Sequence, residues 1–183
     1  LALTPAVLGA ANGMFFAALL LAQIPVGIAL DRAGPRRTVA ALCGIAVAGA
    51  AFQAFATDGT TLLAARFLIG LGSGASFMAA VVLCARWHSG AAMTLALSRV
   101  FALSQMGILL AGAPLAAASG LLGWRGALGA SAVLTAACGL VWWRLVRDDP
   151  PDRPPVFRQP ETLKEALLGQ FSIWRLPGLA RVL

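Results

Sequence analysis

The sequence predicts an all-α integral membrane bundle of about five spanning helices, and three observations carry that prediction. Hydrophobic residues fill 60% of 183 positions, charged residues only 11%, and the mean hydropathy is +0.84; no soluble domain of this length has such a composition. Apolar stretches of about 20 residues, the length that crosses a bilayer as a helix, recur almost without interruption from Pro5 to Val146. The arginines stand singly or in short clusters at the ends of those stretches. A net charge of +7 distributed in this way describes membrane topology and excludes a nucleic-acid partner, which needs one continuous basic face.

The first stretch, 5 to 30, is too long and wrongly flanked for a cleaved leader, and a chain that starts at Leu1 reads as part of a longer protein. Arg32, Arg36 and Arg37 follow it. The second stretch runs from 38 to 57 and the third from 60 to 84, with Arg86 just beyond. The fourth covers 91 to 120, and the fifth, 126 to 146, ends among Arg144 and Arg147. Short connections make consecutive spans antiparallel neighbours. The arginine excess then places 31–37, 85–90 and 147–183 on the cytoplasmic side, while the opposite connections hold Asp58 and Arg125. Lys164 is the only lysine in an alanine-rich chain, which hints at a GC-rich bacterial genome and hence at a bacterial inner membrane.

The domain division expected is 1–147 as spanning helices and 148–183 as a cytoplasmic linker leading to a further span. Asp148, Asp149, Pro150, Pro151, Asp152, Arg153, Pro154 and Pro155 make a stiff polar connection. After it, Leu163, Leu167, Phe171 and Trp174 recur at helical spacing. They predict an amphipathic helix on the cytoplasmic face, a soluble helix packed on a partner loop being the alternative.

Composition also narrows the chemistry. Cys43, Cys84 and Cys138 lie inside apolar stretches without short Cys/His spacing, so neither a metal site nor a disulfide framework is expected. The only histidine, His88, falls in a connection between spans, without the paired acids, metal ligands or nucleophile–base set that catalysis needs, so no enzyme and no cofactor is expected. The partners expected are a small-molecule substrate, with a coupling proton or ion, and the lipid bilayer.

An internal repeat is visible. Pro25 stands nine residues before Gly34 and eleven before Arg36; Pro114 stands nine before Gly123 and eleven before Arg125. The offset is 89 in each case. A duplicated unit of that length holds three spans, and an odd number inverts the second copy. The stretch 60–84 is then the first helix of the second copy, and its counterpart lies upstream of Leu1.

Gly27-Ile-Ala-Leu-Asp31-Arg32-Ala-Gly34-Pro-Arg36-Arg37 resembles the loop signature of the major facilitator superfamily, G-x-x-x-D-R-x-G-x-R-R, which joins the second and third spans there. Arg66-Phe-Leu-Ile-Gly70-Leu-Gly72-Ser-Gly74 is similar to that family's fourth-span pattern, R-x-x-x-G-x-x-x-G. The Arg86-Trp87 pair and the Gly123-Trp124-Arg125 turn also resemble the family. Gly112, Ala113 and Pro114 only loosely echo its fifth-span antiporter pattern. The resemblance implies spans two to six, plus the central loop, of a twelve-span secondary transporter. Its two six-helix bundles would alternately open one cavity to either side, in a molecule that is mostly monomeric.

Candidate site residues follow from both readings. Asp31, at a helix carboxyl end where the macrodipole disfavours it, calls for a partner among Arg32, Arg36, Arg37 and Arg86. Gly27 is expected to admit a neighbouring backbone, and Gly34 to take positive φ in a tight reversal. Arg66, Gly70 and Gly74 share one helix stripe, with the glycines expected at a close helix contact. Arg66 either snorkels to the outer interface or faces the interior. Arg99 and Gln105, read as sharing roughly one face, are the first candidates for the substrate cavity, with Asn12, Gln23 and Gln53 behind them. No Asp or Glu occurs between Asp58 and Asp148, so an arginine there lacks a local counter-ion and points to a small anion or organic acid as solute. Export of drugs or metabolites is the alternative, and a non-transporting assembly protein a more distant one.

Overall fold

The computed structural model describes residues 4–151, without the side chains of Leu110 and Ala113. The amphipathic helix expected at 161–175 lies outside the described residues. Those residues form four helices: α1 (Pro5–Ala54), α2 (Gly59–Ser73), α3 (Ser76–Trp87) and α4 (Ala91–Leu145).

Two of these are far longer than any span. At 1.5 Å per residue, the 50 residues of α1 and the 55 of α4 would each cover more than twice the hydrocarbon thickness of about 30 Å if straight. Neither is straight. α1 breaks at Gly34 (φ 80°, ψ 160°) and α4 at Gly123 (φ 71°, ψ 166°). Each therefore divides into two arms, 5–33 and 35–54 in α1, 91–122 and 124–145 in α4. With the α2–α3 stretch Gly59–Trp87, which is apolar and long enough to cross by itself, the described residues make five helical segments.

The loops expected at 31–37 and 121–125 thus shrink to one non-helical residue each. A β-carbon at positive φ clashes with the backbone, so glycine is the residue that makes such a reversal. Pro35 then opens the next arm at the first helical position, where its missing N–H costs nothing. The two breaks are 89 residues apart and nearly identical in backbone angles, which is the repeat written in conformation.

The remaining ends are capped in sequence-local ways. Thr4 Oγ1 accepts from Val7 N–H. Asp58 accepts from Thr61 N–H at 2.7 Å while Thr61 Oγ1 accepts from Asp58 N–H, a capping box that opens α2. Hydrogen bonds to the carboxylate, from the Thr61 N–H first and the Thr60 hydroxyl next, hold the Asp58 carboxyl below its ordinary value. At the α2–α3 joint, Gly74 and Ala75 keep right-handed helical angles, and Ser73 Oγ donates to Ile69 C=O. The crossing bends there without breaking.

α2 and α3 lie in the notch between the two arms of α1, and the contact is built from small residues. Ala22, Val26, Leu30, Ala75 and Ala79 form one buried cluster; Ala11, Ala56 and Leu62 form a second nearer the other end. Within lipid there is no hydrophobic drive between helices, so close van der Waals packing of small side chains takes its place. Gly70 lies against the Phe15 carbonyl and Ala18, Gly72 against Ala46 and the Leu42 carbonyl, and Gly49 against Leu68 and Ile69. Gly27 does not join them: a β-carbon there meets nothing within 4 Å. It sits one residue, about 100°, past Val26 on the face that receives α2.

Gly70→Ala would push a methyl group into the Phe15 carbonyl, and overpacking of this kind costs about 1–3 kcal/mol. Gly44, with nothing within 4 Å, is the control. Thermal unfolding in detergent should show a clear loss for Gly70→Ala and none for Gly44→Ala.

Candidate functional site

The signature residues Gly27 to Arg37 converge on the elbow of α1, and the chain that leaves α4 folds back over it. The Asp148 carboxylate accepts from Arg36 N–H at 2.6 Å, at the start of the 35–54 arm. A helix N-terminus has free amides and a partial positive charge, so a carboxylate there serves as its cap, supplied here from 112 residues away. The same carboxylate fills the space where a β-carbon on Gly34 would lie, with Oδ2 at 2.5 Å. Gly34 is therefore fixed twice, by its φ and by the carboxylate beside it.

Asp149 ties a second helix to the same segment. It pairs with Arg86 at 3.3 Å, and Trp87 Nε1–H donates to the Arg147 carbonyl at 3.3 Å. Residues 147–149 thus bridge the end of α3 and the elbow of α1. Sequence reading placed Asp148 and Asp149 at the start of the linker, because flanking prolines and a change of composition resemble a boundary; their carboxylates bond to the bundle's rim, which that reading did not foresee. Their signal was present in the count: they are the first acidic residues after Asp58, arriving where the basic clusters need counter-charge.

The Arg36 side chain turns away from these carboxylates. Its Nε–H donates to the Trp143 carbonyl at 2.8 Å, and its guanidinium lies over the Trp143 ring, 4.7 Å from the centroid. The counterpart 89 residues on, Arg125, does the reverse at the other end of the same helix pair. It donates to the Ala56 carbonyl at 3.4 Å and stacks on Trp124 at 4.2 Å. Each arginine stands at the start of one arm, 35–54 or 124–145; Arg36 binds one carbonyl, of Trp143, in the last turn of the second arm, and Arg125 one, of Ala56, just past the end of the first. Unpaired carbonyls and a negative dipole end make a helix C-terminus a natural seat for a cation. Between the two clasps the arms touch: Cys43 Sγ–H donates to the Thr135 carbonyl, and Cys43 Sγ lies 2.5 Å from a β-carbon built on Gly139.

The other candidates are dispersed. Asp31, Arg32 and Arg37 are exposed at the elbow, and Asp31 and Arg32 both have interaction partners. Arg66 lies on the α2 stripe between Leu62, which packs on Ala11, and Gly70, which abuts Phe15. Its Nε is buried with no hydrogen-bond partner among the described residues. Asn12 is exposed, Gln23 Nε2 donates to Leu19 C=O in its own helix, and Gln53 is 6% exposed. Arg99 and Gln105 are both exposed on the 91–122 arm. Six residues leave them about 120° apart around a helix, so the shared face expected for them does not form. Both are open because residues 91–109 carry no buried position at all. No cluster of metal-ligating side chains occurs among the described residues.

A family model described as Major Facilitator Superfamily matches residues 1–182. No curated protein and no solved structure matches the chain.

Removing the Arg36 clasp should cost more than removing its counterpart at Arg125, since its bond is shorter and it shares the elbow with Asp148. Arg36→Ala is expected to lower stability by about 1.5–3 kcal/mol, the usual worth of hydrogen bonds to a charged group, and Arg125→Ala by less. Chemical denaturation of the two variants in one detergent checks the order.

Proposed function

The chain belongs to the major facilitator superfamily, and from that membership we propose that it contributes to a secondary transporter that moves a small anion, an organic acid or an inorganic anion, by alternating access. The family model supports secondary transport in general. The anion is our reading, and Arg66 carries it. A guanidinium nitrogen buried in a spanning helix without a partner is costly, and such a group normally meets its partner in function. Between Asp58 and Asp148 the sequence offers no carboxylate to neutralise it. An anionic solute supplies that charge.

Arg66 takes precedence here over Arg99, which is exposed and whose presumed companion Gln105 faces elsewhere.

The twelve-span architecture is part of the same proposal. α2 covers Phe15, Ala18, Ala22 and Val26 on one arm of α1, and Leu42 and Ala46 on the other. Shifted by 89 residues, those positions are Ser104, Gly107, Ala111, Leu115, Ser131 and Thr135, all exposed or half-buried. A cavity of about 400 Å³ between the arms of α4, lined in part by Leu115, Ser119 and Trp124, lies along this seam. A helix preceding residue 1 would fill it as α2 fills the first notch. Residues 1–147 then form spans two to six of one bundle in a bacterial inner membrane. Residues 31–37, 85–90 and 147–183 are cytoplasmic, and the elbow of α1 closes that side.

The test is uptake by the full-length protein in proteoliposomes over a panel of small carboxylates and inorganic anions. Arg66→Gln should raise KM for the transported anion about tenfold or more, the loss of one charge-assisted contact, while Arg99→Ala leaves it unchanged. Transport confined to cations or neutral solutes, or an Arg66→Gln protein with unaltered KM, contradicts the reading.

A further inference from the structure

The elbow of α1 encloses a slot that the transport cycle, as described, does not use. Its walls are Pro25, Val26, Ala29 and Ala33 on the 5–33 arm and Thr38, Ala41 and Leu42 on the 35–54 arm, around a cavity of about 400 Å³. Its polar lining is negligible, because the one hydroxyl in it, Thr38 Oγ1, donates to the Ala29 carbonyl at 3.0 Å and stitches the two arms together. Pro25 to Gly34 is nine residues, so the slot runs about 13 Å from the elbow toward the membrane centre. At its mouth stands Arg37, exposed, at the level of the elbow.

We infer that this slot binds an anionic phospholipid, with an acyl chain between the two arms and the headgroup phosphate on Arg37. The division of labour at the elbow supports this occupant. Arg36 is engaged with Trp143, and Asp148 already holds the N-terminus of the 35–54 arm. A phosphate arriving there finds the Arg37 side chain, not the helix dipole. An apolar cleft topped by a cation at the membrane surface matches a lipid in both its parts, whereas a soluble anion would use only the arginine. The occupant also fits the side assigned to the elbow, since the arginine excess places it on the cytoplasmic leaflet, where anionic lipids concentrate. The inference rests on that orientation and not on the identity of the transported solute. A bound lipid wedged between the arms would stiffen the loop signature from outside the bundle.

The experiment is thermal unfolding of the purified full-length protein in mild detergent with added phosphatidylglycerol, phosphatidylcholine or inorganic phosphate. The expected result is a rise of several degrees in Tm with phosphatidylglycerol, a smaller rise with phosphatidylcholine, and none with phosphate. Arg37→Gln should remove the difference between the two lipids, Arg37→Lys should keep most of it, and Ala41→Phe, which fills the slot, should remove both shifts. High salt should also shrink the phosphatidylglycerol advantage in the unmodified protein, a check that needs no variant. Equal shifts from the two lipids, or an undiminished phosphatidylglycerol shift in Arg37→Gln or Ala41→Phe, would overturn the assignment. So would stabilisation by phosphate alone.

Discussion

In a medium without water, a helix that reverses direction leaves amides and carbonyls unpaired at the reversal, and the fold of this protein turns on how that demand is met at Gly34 and Gly123. Each reversal is confined to a single residue of positive φ, so almost no backbone is released from helical bonding. The ends that remain are closed by side chains from elsewhere in the chain. Asp148 takes the amide end of the 35–54 arm, Arg36 takes the Trp143 carbonyl in the last turn of the 124–145 arm, and Arg125 takes the Ala56 carbonyl just past the end of 35–54. Because each clasp joins the same two arms at opposite ends, these arms are pinned antiparallel, and the small-residue contacts of α2 and α3 form against a fixed notch.

The two clasps are related by the repeat but are not equal. The one at Arg36 is reinforced by Asp148 and neighbours the Arg86–Asp149 pair; its counterpart has only Arg125, since Asp58 is committed to capping α2. A bundle built this way is fastened more firmly at one end than at the other. The fastening on the stronger side includes residues 147–149, which begin the connection to whatever follows.

Much of this was legible in the sequence because membrane insertion writes itself in composition. Span number and approximate bounds followed from apolar run length, and the offset of 89 identified the matched Pro, Gly and Arg positions before any coordinates. What stayed hidden depends on rotation about a helix axis and on long-range pairing. Gly27 looked like a packing glycine, yet it falls about 100° from the contact stripe, where nothing approaches. Arg99 and Gln105 looked like neighbours, yet their spacing separates them. Asp148 and Asp149 looked like linker, because a carboxylate that caps a helix over 100 residues away leaves no local pattern. Arg66, readable either as snorkelling to the interface or as facing the interior, is half-buried with its Nε covered, and a residue's partial burial leaves no pattern in the sequence.

The account stands on one unit used twice in opposite orientations, so the most direct measurement is the side of the membrane on which each elbow lies. With Cys43, Cys84 and Cys138 replaced by alanine, Ala33→Cys and Leu122→Cys, both exposed beside their elbows, can be labelled with a membrane-impermeant maleimide in sealed vesicles of each orientation. The account predicts that Ala33→Cys is labelled from the cytoplasmic side alone and Leu122→Cys from the opposite side alone. Labelling of both from the same side would contradict the inverted repeat, and with it the alternating-access reading built upon it.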